Sequence, residues 1–117
     1  MSVATSVKIY HNPRCSKSRL TLELLRENGV EPTIVEYLNT PPSAAELKDI
    51  LTKLGMTAAE LVRSKEAMEE GIDVANLDND ALIEALVAHP RAIERPVVVS
   101  GDKAAVGRPP ENVLNIL

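Results

Sequence analysis

The order of elements in the first 38 residues constrains this chain most. Val7-Lys8-Ile9-Tyr10 is a short, β-branched apolar run, and His11-Asn12-Pro13 ends it because proline supplies no backbone donor. From about Ser16 the pattern turns helical, with Leu20, Leu24 and Leu25 repeating on one face until Asn28-Gly29 supplies a left-handed stop. Thr33-Ile34-Val35-Glu36-Tyr37-Leu38 then reads as a second strand. A strand-helix-strand order of this length predicts parallel pairing through a right-handed crossover, so the fold is expected to be α/β from its start.

Pro41-Pro42 breaks the chain, and Ser43-Ala44-Ala45-Glu46 is a capping box that leads into Leu47, Ile50, Leu51 and Leu54, closed by Gly55. A second box, Thr57-Ala58-Ala59-Glu60, predicts a short helix carrying Leu61, Val62 and Arg63. Asp78 to Ala88 reads as another helix, stopped by His89-Pro90. Val97-Val98-Val99, the turn Ser100-Gly101-Asp102 and Lys103 to Val106 form a hairpin pattern, and Pro109-Pro110-Glu111 opens a final helix to Leu117. There is no repeat or linker. The expectation is one domain over residues 1–117, a small sheet covered by helices, with the helical middle as an insertion.

With 117 residues, no Phe, no Trp and only Tyr10 and Tyr37, the core must be aliphatic. A net charge of -4 argues against a nucleic-acid binder held by phosphate contacts. Met1 to Ser6 has no basic segment followed by an apolar run, and no stretch reaches membrane-spanning length, so a cytoplasmic protein without a membrane partner is expected. One cysteine makes neither an internal disulfide nor a zinc site alone; no metal and no bound cofactor are expected, and a monomer is the default.

That cysteine, Cys15, falls at the entrance of the first helix, where unpaired N–H groups and the positive end of the dipole lower a thiol pKa. Free cysteines are often small buried hydrophobes, but Arg14, Ser16, Lys17 and Ser18 suit an exposed loop better. Lys17, Arg19 and the backbone N–H groups from Ser16 onward suit an oxyanion. A dithiol motif needs cysteine where Ser18 stands, and a phosphatase-type loop needs arginine where Thr21 stands; both fail, leaving a monothiol resolved by an outside sulfur. His11 reads either as a partner of the thiolate or as a solvated loop residue. Ser18 reads either as a hydrogen-bond donor to the sulfur or as first-turn capping.

The segments Ile9 to Arg19, Gly29-Val30-Glu31-Pro32, Tyr37-Leu38 with Pro41-Pro42, Glu94-Arg95-Pro96 and Gly107-Arg108-Pro109-Pro110-Glu111 together resemble the arsenate reductase (ArsC) family of the glutaredoxin-coupled type, in particular its YfgD-like branch. The resemblance implies a thioredoxin-like fold with a helical insertion between the second strand and the C-terminal hairpin. It implies Cys15 as the nucleophile toward arsenate, Arg63, Arg95 and Arg108 as oxyanion ligands, His11 and Ser18 as favouring the thiolate, and a cis Arg95-Pro96 bond, although only about 5% of X-Pro bonds are cis. Guanidinium forks suit a tetrahedral oxyanion, whereas Arg26 and Arg91 read as surface residues. The implied partners are arsenate or a related oxyanion, glutathione as co-substrate and glutaredoxin.

Two features depart from the family pattern. Arg14 and Ser16-Lys17 flank the cysteine where small residues are usual, and Gly107 stands where some members have a second cysteine. The alternatives are a glutathione-linked monothiol oxidoreductase and a non-catalytic regulator similar to the Spx proteins, against which Ser18 speaks because their switch uses two cysteines.

Overall fold

The computed structural model describes residues 6–117; of the segment Met1–Ser6 read above for an export signal, all but Ser6 lie outside them. The first compact unit contains the chain up to Tyr37 and again from Arg95 to Leu117; the second is Leu38–Glu94.

In the first unit, β1 (Val7–Tyr10), α1 (Ser16–Glu27) and β2 (Thr33–Val35) follow one another, and β1 pairs with β2 in parallel as the strand-helix-strand order requires. The hairpin β3 (Val97–Ser100) and β4 (Lys103–Val106) adds antiparallel to the other side of β1, giving the order β2-β1-β3-β4. Ile9 is in register with Ile34 and Val98, and Val98 with Ala105, so a row of side chains shares one face. On that face Val7, Ile9 and Val98 pack with Leu25 of α1 and Val113 of the C-terminal segment, and the cluster is aliphatic throughout. Both tyrosines are buried.

Three expectations for this unit are corrected. Strand β2 is three residues long rather than six, because its partner runs out: Tyr10 pairs with Val35, His11 N–H donates to the Val35 carbonyl at 2.8 Å, and β1 then ends in Asn12-Pro13. The buried face of α1 is Ser18, Thr21 and Leu25, while Leu20 is 50% exposed, so polar anchoring near the helix start outranks the leucine repeat in setting its rotation. The final helix is a 3-10 helix, Pro110–Ile116. Asn112 N–H bonds the Pro109 carbonyl, and the Asn112 side-chain amide takes the Arg108 carbonyl that an α-helix would have used.

In the second unit, the Ser43 box closes as read: Ser43 Oγ accepts from Glu46 N–H, Ser43 N–H donates to Glu46, and α2 (Ala44–Leu54) ends at Gly55 with φ of 67°. The Thr57 box forms too, with Glu60 accepting from both the backbone and the hydroxyl of Thr57. It opens only a 3-10 turn, Ala59–Leu61, not a helix through Arg63. The reason is a competing ladder: Glu94 N–H donates to the Leu61 carbonyl and Arg63 N–H to the Ala92 carbonyl, both at 2.7 Å, around an antiparallel Val62–Ile93 bridge. Helix α3 (Ser64–Glu69), which the sequence did not announce, starts after that ladder, and α4 (Asn79–Ala88) is capped by Asp78 and packs on α2. Leu47, Ile50, Leu51, Leu61, Leu82, Ile83 and Leu86 are buried.

No described helix is long and apolar enough to cross a membrane. Because Leu25 is fully buried in the cluster of the first unit, Leu25→Ala is expected to destabilise the protein by about 2–5 kcal/mol in urea unfolding monitored by circular dichroism.

Candidate active site

Cys15 is the N-cap of α1, in extended backbone with φ of -92° and ψ of 123°, and its thiol is partly exposed. The turn that presents it is built by Asn12. The Asn12 carbonyl accepts from Cys15 N–H at 3.0 Å, Asn12 Oδ1 accepts from Arg14 N–H at 3.0 Å, and Asn12 N–H donates to Ser18 Oγ at 3.0 Å. The first-turn amides of α1 lack helical acceptors and no acidic residue stands in that turn, so nothing there opposes an anion.

Burial pushes the Cys15 thiol up. It is overcome by the Ser18 N–H, the hydrogen bond and charge of the Arg95 guanidinium, and the Lys17 N–H, so the thiol lies below its ordinary value. Arg108 Nη2 stands 3.8 Å from the sulfur, a longer contact, and Arg108 Nε donates to the Arg95 carbonyl at 2.9 Å. Each arginine precedes a cis proline, Arg95-Pro96 and Arg108-Pro109, the first as the resemblance implied.

His11 and Ser18 meet each other: Ser18 Oγ lies 2.7 Å from His11 Nδ1, and both residues are buried. Since Ser18 Oγ already accepts from Asn12 N–H, its single proton satisfies both groups when donated to Nδ1. Burial holds His11 below the ordinary imidazole value; Glu36 pulls the other way, and Arg26 and Arg19 add to the lowering, so the surroundings favour the neutral ring. Ser18 therefore serves the sulfur through its backbone N–H, while its hydroxyl and His11 brace the turn.

Ser16, Lys17 and Arg19 are exposed, and Arg19 Nη1 donates to the Pro13 carbonyl at 2.9 Å. Arg63 belongs to the second unit, where Glu66 and Glu94 hold its guanidinium. Arg26 pairs with Glu31 and Arg91 with Glu69 on the surface. Among the described residues no group of three His, Cys, Asp or Glu is placed to hold a metal.

Two contributors escaped the sequence reading. Asn12 was one, although an Asn before a proline at a strand end is itself a turn signal. The other is Gly107: a Cβ there would lie 2.5 Å from Thr21 Oγ1 and 2.8 Å from Pro96 Cγ. Only glycine lets the segment carrying Arg108 approach α1 so closely.

Alkylation of Cys15 by iodoacetamide is expected to reach its plateau at lower pH than that of a free cysteine, because the thiolate forms earlier. In Arg95→Ala the curve moves to higher pH and the rate at pH 7 falls roughly three- to tenfold, while Arg91→Ala leaves it in place; mass spectrometry across a pH series reads both.

The model of the ArsC family matches residues 10–116. The "uncharacterized protein YfgD" of Escherichia coli (strain K12) is 57% identical over 114 residues, covering 95% of this chain and 96% of that protein. An arsenate reductase of Neisseria meningitidis serogroup A is 53% identical over 114 residues, with 95% and 97% covered. The solved arsenate reductase from Vibrio cholerae matches with a TM-score of 0.92 at 47% identity, covering 98% of this chain and 100% of that one. With its thioredoxin-like sheet, its helical insertion and its thiol at the first turn of α1, this chain belongs to the ArsC family.

Proposed function

We propose that this chain is an arsenate reductase that bonds the oxyanion to the single thiol of Cys15 and draws its electrons from glutathione and glutaredoxin in the cytoplasm. The observation that carries the reading is the thiol itself: an N-cap cysteine held below its ordinary pKa by first-turn N–H groups and Arg95, with Arg108 beside it. The arsenate reductases among its relatives support the substrate. In this reading Arg95 and Arg108 neutralise the arsenate oxygens, and Arg63 joins them on the family resemblance. Ser16 and Lys17 contribute at the helix start, Arg19 adds positive charge there, and His11 and Ser18 keep the turn in place.

The Cys15 thiolate attacks arsenic, a sulfur–arsenic bond forms, and one arsenic–oxygen bond breaks with loss of water after protonation. Glutathione then replaces a second oxygen, again releasing water. The chain holds one cysteine, so the electrons must come from outside. A glutaredoxin thiolate attacks the glutathione sulfur, the glutathione–arsenic bond breaks, and its electron pair stays on arsenic, which passes from As(V) to As(III). The products are a glutaredoxin–glutathione disulfide and, after hydrolysis, arsenite and free Cys15.

Arsenite formation by the purified protein is expected only when arsenate, glutathione and glutaredoxin are all present, and Cys15→Ser is expected to abolish it. A Cys15→Ser protein that turns over normally refutes the assignment. Faster deglutathionylation of a model disulfide than arsenate reduction by the same preparation would favour a glutathione-linked oxidoreductase instead.

A further inference from the structure

We infer that the groove between α1 and the C-terminal 3-10 helix is the docking surface for the basic face of the thiol protein that reduces the Cys15 adduct; this rests on the proposed use of glutaredoxin. The groove lies wholly within the first compact unit. Lys17, Leu20, Leu24 and Glu27 recur along one side of α1 at helical spacing, Glu23 stands beside them, and Pro109 and Glu111 belong to the opposite wall. Both walls begin at the thiol. Lys17 is two residues past Cys15, and Pro109 follows Arg108, whose Nη2 is 3.8 Å from the sulfur.

Ser18, Thr21 and Leu25 set the rotation of α1, which leaves Leu20 50% exposed just past the first turn; Leu114, one 3-10 turn beyond Glu111, is 38% exposed. Around these leucines Glu23, Glu27 and Glu111 are all exposed. The cations that α1 carries besides Lys17 are drawn elsewhere, Arg19 to the Pro13 carbonyl and Arg26 to Glu31. This side of the helix is therefore positive at its thiol end and acidic, with apolar contacts, further along.

Chemistry names the occupant. A protein that takes glutathione off another molecule must recognise a tripeptide with two carboxylates and one ammonium, so it carries cations around its own thiol. When that thiol reaches the glutathione sulfur at Cys15, cations not engaged by the tripeptide face this chain, and the acidic rim complements them. Glutathione alone does not account for the groove. The rim repels its carboxylates, and Glu27 is twelve residues past Cys15, about 18 Å along the helix, whereas three extended residues span only about 11 Å. Redox encounters between proteins bury little surface, in keeping with a groove of about 350 Å³.

The test uses the full chain with glutathione disulfide-bonded to Cys15. Glutaredoxin thiolate attacks the glutathione sulfur, the bond to Cys15 breaks, and Cys15 leaves as thiolate; the bimolecular rate is compared with that of free glutathione as reductant. In E23Q/E27Q the glutaredoxin rate should fall about three- to tenfold at low salt, the loss shrinking as salt rises, while free glutathione reacts no more slowly. Leu20→Ala should slow glutaredoxin at every salt concentration, and E84Q, at an exposed position of α4, should change neither rate. An unchanged glutaredoxin rate in E23Q/E27Q, an equal loss with free glutathione, or a wild-type rate no higher with glutaredoxin than with glutathione overturns the inference. So does a wild-type dimer in sedimentation that Leu20→Ala dissociates without slowing glutaredoxin, which assigns the groove to a second copy. Arsenite formation by the wild-type chain, measured alongside, separates the two claims: a slowed exchange in E23Q/E27Q without arsenite sinks the arsenate reading and keeps the docking surface, and arsenite with unchanged exchange does the reverse.

Discussion

The hydrogen bonds of Asn12 tie the end of the central strand to the first turn of α1, and the site depends on that tie. Its carbonyl and Oδ1 are engaged within the loop that ends at Cys15, and its N–H by the Ser18 hydroxyl of α1. His11, Asn12 and Ser18 are buried polar residues, and each would cost about 1–3 kcal/mol if left unsatisfied. Because they satisfy one another, the loop has one low-energy shape. That shape leaves the sulfur at the N-cap facing the amides of Lys17 and Ser18. The lowered thiol is thus a consequence of how the strand-helix junction closes.

The hairpin supplies the other half of the environment. Arg95 and Arg108 are thirteen residues apart in the chain, but Val97 pairs with Val106, so the residues flanking the open end of the hairpin are neighbours. The bond from Arg108 Nε to the Arg95 carbonyl is a direct result. Sheet order then does the rest: β3 pairs with β1, whose C-terminal end leads into the cysteine loop. A chain of net negative charge thereby gathers two guanidinium groups around one sulfur.

Local chemistry made much of this legible in the sequence. The Val7–Tyr10 strand, the Ser43 capping box, the Asp78 helix start and the Gly101-Asp102 turn each carry their own signal within a few residues, and each forms where it is read. What was not legible depends on partners distant in sequence. The length of β2 is set by where β1 ends, the extended course of Val62 and Arg63 by a ladder with residues some thirty positions later, and the exposure of Leu20 by polar anchors on the other side of α1. At the site, the cysteine and its helix were readable from spacing. The direction of the Ser18 hydroxyl was not, because two buried groups compete for it.

Gly107 has a consequence for how this enzyme class could be rebuilt. A second thiol placed next to Arg108 would seem the shortest route to a chain that resolves its own adducts. Its Cβ, however, would land on Thr21 Oγ1 and on the ring of Pro96, and Thr21 Oγ1 is tied to the Lys17 carbonyl inside α1. A second thiol at this position is therefore at least a two-position change, with helix and loop altered together.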